Sequence, residues 1–297
     1  MWVYYALILM SVFMFGGGFA IQDQYRKKRG SGLMVSMEST CIGSVAGAAI
    51  LLLFFGFSFE ASPFTIFMAV LAALNGMAFT FCAFKALDYI NLSLFSLFSM
   101  LGGMALPFFV GIVFYNEGFT VAKSVCVVFI CISLLCTVER GKKKRGTAFY
   151  VGIFILNGMA GVISKLFTAT DVPKSGAMEY SVWVAVITAI LSGVVWMILA
   201  LRERRGKTKS ASQSTKSIIQ AYSLGAINGV INRVANFLLV FALLYVDTSV
   251  QYPFVTGGTM IVSSVISFFG EKKPRPCDLL GVAFAFIGMC ALFFIPI

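Results

Sequence analysis

Three asparagines and an arginine within one apolar stretch are the residues of this chain best equipped for recognition chemistry. Asn228, Asn232 and Asn236 recur every four residues, with Arg233 and Gly229 on the adjoining row, so in a helix they form a single polar face. An arginine at the centre of a membrane span costs about 2.5–3.5 kcal/mol on insertion scales, which obliges Arg233 to look into protein or water rather than lipid. Two roles satisfy that demand. As a structural group, the guanidinium pairs with an internal acid or with helix carbonyls. As a functional group, its planar fork receives a carboxylate or phosphate on a bound molecule.

Further candidates are spread over other apolar segments. Asn75, followed by Gly76 as Asn228 is followed by Gly229, keeps only the first asparagine of the stripe. Lys165 stands four residues after Gly161 and eight after Asn157, on one polar face. Gln251 and Tyr252 precede Pro253, and a proline frees a backbone carbonyl one turn earlier, where a loosened helix can offer polar backbone to a bound molecule. Ser93, Ser96, Ser99 and Gly102 recur at three-residue spacing, which also suits close helix packing. Glu38 lies about one and a half turns inside a predicted helix. A carboxyl group there can load and release a proton during transport; equally, a glutamate near a helix amino terminus is favoured by the dipole alone.

Other chemistries lack their parts. The chain has no histidine, and its 7 cysteines include no Cys-x-x-Cys pair, so neither a zinc site nor a disulfide framework is expected. No GxxxxGK[ST] loop is present for ATP. No nucleophile and base stand at catalytic spacing, so the chain reads as a non-enzyme without cofactor or metal.

The elements that must position these residues are apolar helices. Hydrophobic residues make up 59% of the 297 residues and charged ones 12%, against about 25% charged in soluble domains. Runs of around 20 uncharged residues each suffice to cross a hydrocarbon core of ~30 Å. Ten are predicted, at 2–21, 33–57, 64–86, 90–114, 119–138, 147–169, 180–201, 218–243, 248–269 and 277–296. The first lacks a charged leader region and a small-residue cleavage site, so it reads as a retained helix. The net charge of +11 does not point to nucleic acid, because the basic residues sit in short loops without an aromatic-interleaved face. Loops at 22–32, 139–146, 202–217 and 270–276 hold 4, 5, 6 and 3 Lys/Arg, while the alternate side carries Lys123 and Lys174. By the positive-inside rule the rich loops are cytoplasmic and both termini face outward, across a plasma or inner membrane.

The chain also repeats itself. Ser93 to Glu117 and Ser249 to Glu271 each follow a Tyr-Ile/Val-Asn/Asp triplet, contain a Gly-Gly pair (Gly102-Gly103, Gly257-Gly258) and end in glutamate. Residues 1–139 and 140–297 therefore read as two five-helix repeats, and an odd number of spans per repeat inverts the second relative to the first.

The ten-span layout, together with Ser249-x-x-Tyr252-Pro253 leading to Gly270-Glu271 and Gly281, resembles the EamA-type transporters of the drug/metabolite transporter superfamily over essentially the whole chain. The first half departs from the pattern, with Asn116-Glu117-Gly118 in place of Gly-Glu and Leu97 where the second half has Pro253. The resemblance implies a basket of helices in which spans three, four, eight and nine, with one and six, surround a central cavity. It implies no particular cargo. The expected function is secondary transport of a small polar or anionic metabolite (amino-acid-like, nucleobase-like or an organic acid) by alternating access, with protons as a candidate coupling ion. The expected partners are that small molecule and the lipid bilayer. A channel or a structural membrane subunit is the alternative.

Overall fold

The computed structural model describes residues 2–55, 61–115, 121–137, 146–206, 215–243 and 248–294. Among them the chain forms ten helices and no strand: α1 (Trp2–Arg29), α2 (Leu33–Phe55), α3 (Pro63–Tyr89), α4 (Leu92–Tyr115), α5 (Val121–Thr137), α6 (Thr147–Ala169), α7 (Ala177–Gly206), α8 (Thr215–Leu243), α9 (Thr248–Phe268) and α10 (Pro276–Phe294). Each predicted apolar run overlaps one helix. Five are long and apolar enough, by length and composition, to cross a membrane: Trp2–Arg29, Leu33–Phe54, Pro63–Tyr89, Thr147–Phe167 and Met178–Glu203. Among the described residues, shorter apolar stretches occur in α4, α5, α9 and α10, such as Leu92–Pro107 and Phe254–Phe268. Large apolar side chains including Phe13, Leu53, Phe67 and Ile190 face outward. Water would penalise that surface and lipid does not, so the chain has the character of a membrane-embedded helical protein.

Helix ends follow local chemistry. Pro63 and Pro276 open their helices at the position where a missing N–H is harmless. Ser62 Oγ accepts the Thr65 N–H at 3.1 Å, and Asn91 Oδ1 accepts that of Leu94 at 2.8 Å. Glu179 accepts the Gly176 N–H at 2.7 Å, a one-sided cap that accounts for this acid at the start of α7. Helix α1 stops at Gly30, whose φ of 99° is the left-handed conformation open to glycine, and the Gly30 N–H closes the turn on the Arg26 carbonyl at 2.6 Å.

The chain divides into two compact units, Met1–Ala20 with Ala86–Val162 and Val234–Ile297, and Ile21–Lys85 with Ile163–Arg233. Each draws on both halves of the sequence. The first holds α4, α5, α9 and α10, the beginnings of α1 and α6 and the ends of α3 and α8; the second holds α2, α7 and the remainders of those four helices.

In the first unit Leu97, Leu101, Ile130, Met260 and Val282 join α4, α5, α9 and α10 in one apolar core. Ser93 and Ser264 bond across α4 and α9 at 2.7 Å. Gly102, Gly103, Gly158 and Gly161 let α4 and α6 approach backbone to backbone, and the Asn157 amide reaches the Ser99 carbonyl at 2.6 Å. Asp278, fully buried, accepts from Asn91 Nδ2 at 2.7 Å and from Arg275 Nη2 at 2.8 Å. Lys272 Nζ donates to the carbonyls of Leu87 and Asp88 at the end of α3. In the second unit α2 packs on α7, where the Cys41 thiol donates to the Ala189 carbonyl at 3.6 Å. Phe167 of α6 stacks on Tyr180 of α7 with ring centroids 4.1 Å apart.

Candidate functional site

The second unit carries the polar groups of greatest interest along one row of α8. Tyr222, Gly225, Gly229 and Arg233 follow at spacings of three and four, so they share a helix face. That face meets α1 and α2. The Tyr25 ring lies against Gly225, the backbones of Gly229 and Gly43 touch, and Arg233 lies over Gly47. Both helices thus present a Gly-x-x-x-Gly pair, Gly43/Gly47 on α2 and Gly225/Gly229 on α8, the small-residue device by which helices pack closely in lipid. Ala or Leu in place of Gly229 would collide with the Gly43 backbone, which has no freedom to step aside.

Arg233 is half-buried. Among the described residues it makes no ion pair and no hydrogen bond. Its stem lies over Gly47, and among the described residues no carboxylate pairs with its charge, so the fork retains the capacity for an external oxyanion. Of its two sequence-derived roles, the internal-acid pairing has no counterpart among the described residues.

The asparagine stripe is partly used within α8. Asn232 Nδ2 donates to both the Asn228 carbonyl and Asn228 Oδ1 at 2.9 Å. Asn75 of α3 and Lys165 of α6 are half-buried and belong to the same unit as Arg233. Asn236 is exposed and falls in the first unit. Gln251 and Tyr252 occur within α9, but their side chains lie outside the described residues.

Glu38 sits in a second cluster of the same unit. It is 1% exposed, and its two oxygens are taken up by α1: Oε1 accepts from Tyr25 Oη at 2.6 Å and Arg29 Nε at 3.0 Å, and Oε2 from Arg29 Nη2 at 2.7 Å. The Arg29 guanidinium carbon stands 5.7 Å from the centre of the Tyr222 ring, a cation–π contact, and Lys28 Nζ donates to Gln220 Oε1 at 2.8 Å. Three helices, α1, α2 and α8, therefore meet at this carboxylate. Glu38 lies beyond the first turn of α2, which begins at Leu33, so the dipole acts on it weakly; the arginine fork is what balances its charge.

Sequence reasoning singled out Arg233, the asparagines and Glu38, and it missed Gly43, Gly47, Tyr25 and Arg29. A Gly-x-x-x-Gly signal was present on α2. Arg29, nine residues before Glu38 across a glycine-containing turn, was within reach of an α-hairpin argument.

Two hydroxyls in the first unit, Ser99 Oγ and Thr259 Oγ1, are buried without a hydrogen-bond partner among the described atoms. No group of three or more potential metal ligands is found among the described residues.

No protein-family model matches the chain, and no curated protein matches it. Among solved structures, one described only as a crystal structure of protein superposes over 96% of this chain and 99% of that chain, with a TM-score of 0.53 and 13% identity. That likeness concerns the fold alone.

Proposed function

We propose that this chain is a secondary carrier of the EamA type, with ten transmembrane helices arranged as two inverted five-helix repeats, 1–139 and 140–297, in a plasma or inner membrane. Its cargo is a small polar or anionic metabolite bearing a carboxylate or phosphate. One observation carries the reading: an arginine within α8, its stem packed on the Gly47 backbone, with no counter-charge among the described residues. A guanidinium even half withdrawn from water without a permanent partner is costly, and a transient anionic partner relieves that cost only while cargo is bound.

The compact units lend support to a duplicated architecture. Corresponding helices of the two halves contribute corresponding pieces, the beginnings of α1 and α6 and the ends of α3 and α8, to the same unit, as a repeat would require. Gradients are the energy source in this reading, with Glu38 as the candidate proton carrier. Reconstituted vesicles loaded with unlabelled compound and offered labelled compound test it. A carrier exchanges label across the membrane; dissipation without exchange marks a pore, and no movement with any carboxylate, nucleobase or phosphate compound marks a structural subunit.

A further inference from the structure

We propose that Gly47 is a positioning residue for the Arg233 guanidinium, an inference that rests on the reading of Arg233 as the receiver of the cargo's oxyanion. A Cβ added at Gly47 would lie 2.6 Å from Arg233 Cγ and 3.3 Å from Arg233 Nε. The arginine stem therefore runs along the bare backbone of α2. Cγ is close to the root of the side chain, so it moves only if the stem changes rotamer and carries the fork elsewhere.

The conflict is confined to that side chain. The same added Cβ would be 3.4 Å from the Gly229 carbonyl oxygen, an ordinary contact, so the approach of α8 to α2 does not by itself demand glycine at 47. It does demand glycine at 229, one turn earlier on α8, where the partner is the Gly43 backbone. The seam thus divides its work. Gly43 and Gly229 set the distance between the helices, and Gly47 keeps open the slot in which the Arg233 stem lies. Glycine within a helix is otherwise a poor choice, because it loses more backbone freedom than alanine.

A stem held in a slot has fewer rotamers to lose when its fork engages an oxyanion, and its reach is measured from a fixed base. The slot therefore favours anions that present two coplanar oxygens at that reach, and a displaced stem weakens their capture without removing the charge.

The test uses full-length protein in detergent with two readouts. The first is a thermal-stability cycle of Gly47→Ala, Arg233→Ala and the double variant. The second is modification of Arg233 by phenylglyoxal, read on its peptide by mass spectrometry, with acetate and inorganic phosphate as protecting probes. Gly47→Ala is expected to lower the melting temperature in the Arg233 background and to have little effect beside Arg233→Ala, whose vacated space accepts the methyl. It is also expected to raise the half-protecting anion concentration about tenfold. If Gly47→Ala does not accumulate beside Arg233, the double variant with Arg233→Ala is expected to accumulate, and failure of both to do so overturns the positioning role. Equal destabilisation in both Arg233 backgrounds, or unchanged anion protection, overturns the positioning role. Should Arg233 of the unsubstituted protein remain unmodified, or unprotected by either anion, the anion-site reading fails and this inference falls with it.

Discussion

Arg29 grips Glu38 through two guanidinium nitrogens, at 3.0 and 2.7 Å, across the turn that joins α1 to α2. With side-chain exposures of 13% and 1%, the pair is shielded enough for its loss to matter. Removing one partner strands the other, and broken buried pairs cost about 3–5 kcal/mol. Arg29→Met is expected to lower stability by about 3 kcal/mol, measured by thermal or denaturant unfolding in detergent. Arg29→Met combined with Glu38→Leu is expected to recover most of it, because apolar replacement of both members of a pair is often close to neutral. A double variant as unstable as the single one would assign the effect to packing rather than charge.

The same geometry sharpens the proton question. A proton placed on Glu38 removes the charge that Arg29 answers, so loading loosens the tie among α1, α2 and α8. In this reading Glu38→Gln transports without dependence on an imposed pH gradient. Vesicle uptake at equal and unequal pH decides the matter: a gradient response equal to that of the unsubstituted protein would discard Glu38 as the proton carrier and leave it a structural anchor.

At Arg233 the prediction concerns geometry as well as charge. Lysine preserves the charge but not the planar fork. Arg233→Lys is expected to lower kcat/KM by about tenfold and Arg233→Gln by about a hundredfold, corresponding to roughly 1.4 and 2.8 kcal/mol. Labelled-compound counterflow, normalised to protein in the vesicle, supplies the measurement. Full activity in Arg233→Gln would remove the cargo-anchor role.

Helix positions were legible because no apolar run carries more than one charged residue, and the predicted span at 147–169 matches α6 (Thr147–Ala169). Limits were less so. The predicted first span ends at 21, whereas α1 continues to Arg29, because hydropathy reads only the apolar part of a helix whose basic last turns are held by the Arg26–Asp23 and Lys27–Asp23 pairs. That boundary also hid the Glu38 cluster, since it assigned Arg29 to a loop and Glu38 to the bilayer. The asparagine stripe was readable from period alone. Its setting was not, because the slot for Arg233 is made of Gly47 on another helix, and no spacing within α8 announces which helix lies opposite.

Orientation is a prediction of loop charge and is tested apart from the site. In a cysteine-free background, necessary because Cys131 and Cys277 are exposed, single cysteines placed within 202–217 are expected to react with an impermeant thiol reagent only after the membrane is opened. Labelling of intact cells from outside would invert the assignment and put both termini in the cytoplasm.

Asp278, which is not among the sequence candidates, ties two helix starts together. It is fully buried at the start of α10 and accepts from the Arg275 N–H at 3.0 Å, the Arg275 guanidinium at 2.8 Å and Asn91 Nδ2 at 2.7 Å. Asn91 in turn caps α4 through Leu94. One carboxylate therefore closes the first turn of α10 and fastens it to the first turn of α4. Asp278→Ala leaves the Asn91 amide and the Arg275 N–H without their acceptor, and an unsatisfied buried donor costs about 1–3 kcal/mol. Unfolding in detergent is expected to show a loss of about 3 kcal/mol, with Asp278→Asn intermediate because it keeps an acceptor and loses the charge. Asn91→Ala is expected to be less than additive with Asp278→Ala, since both variants break the same bond. Full additivity would mean that the two helix starts are held independently and that this carboxylate does not join them.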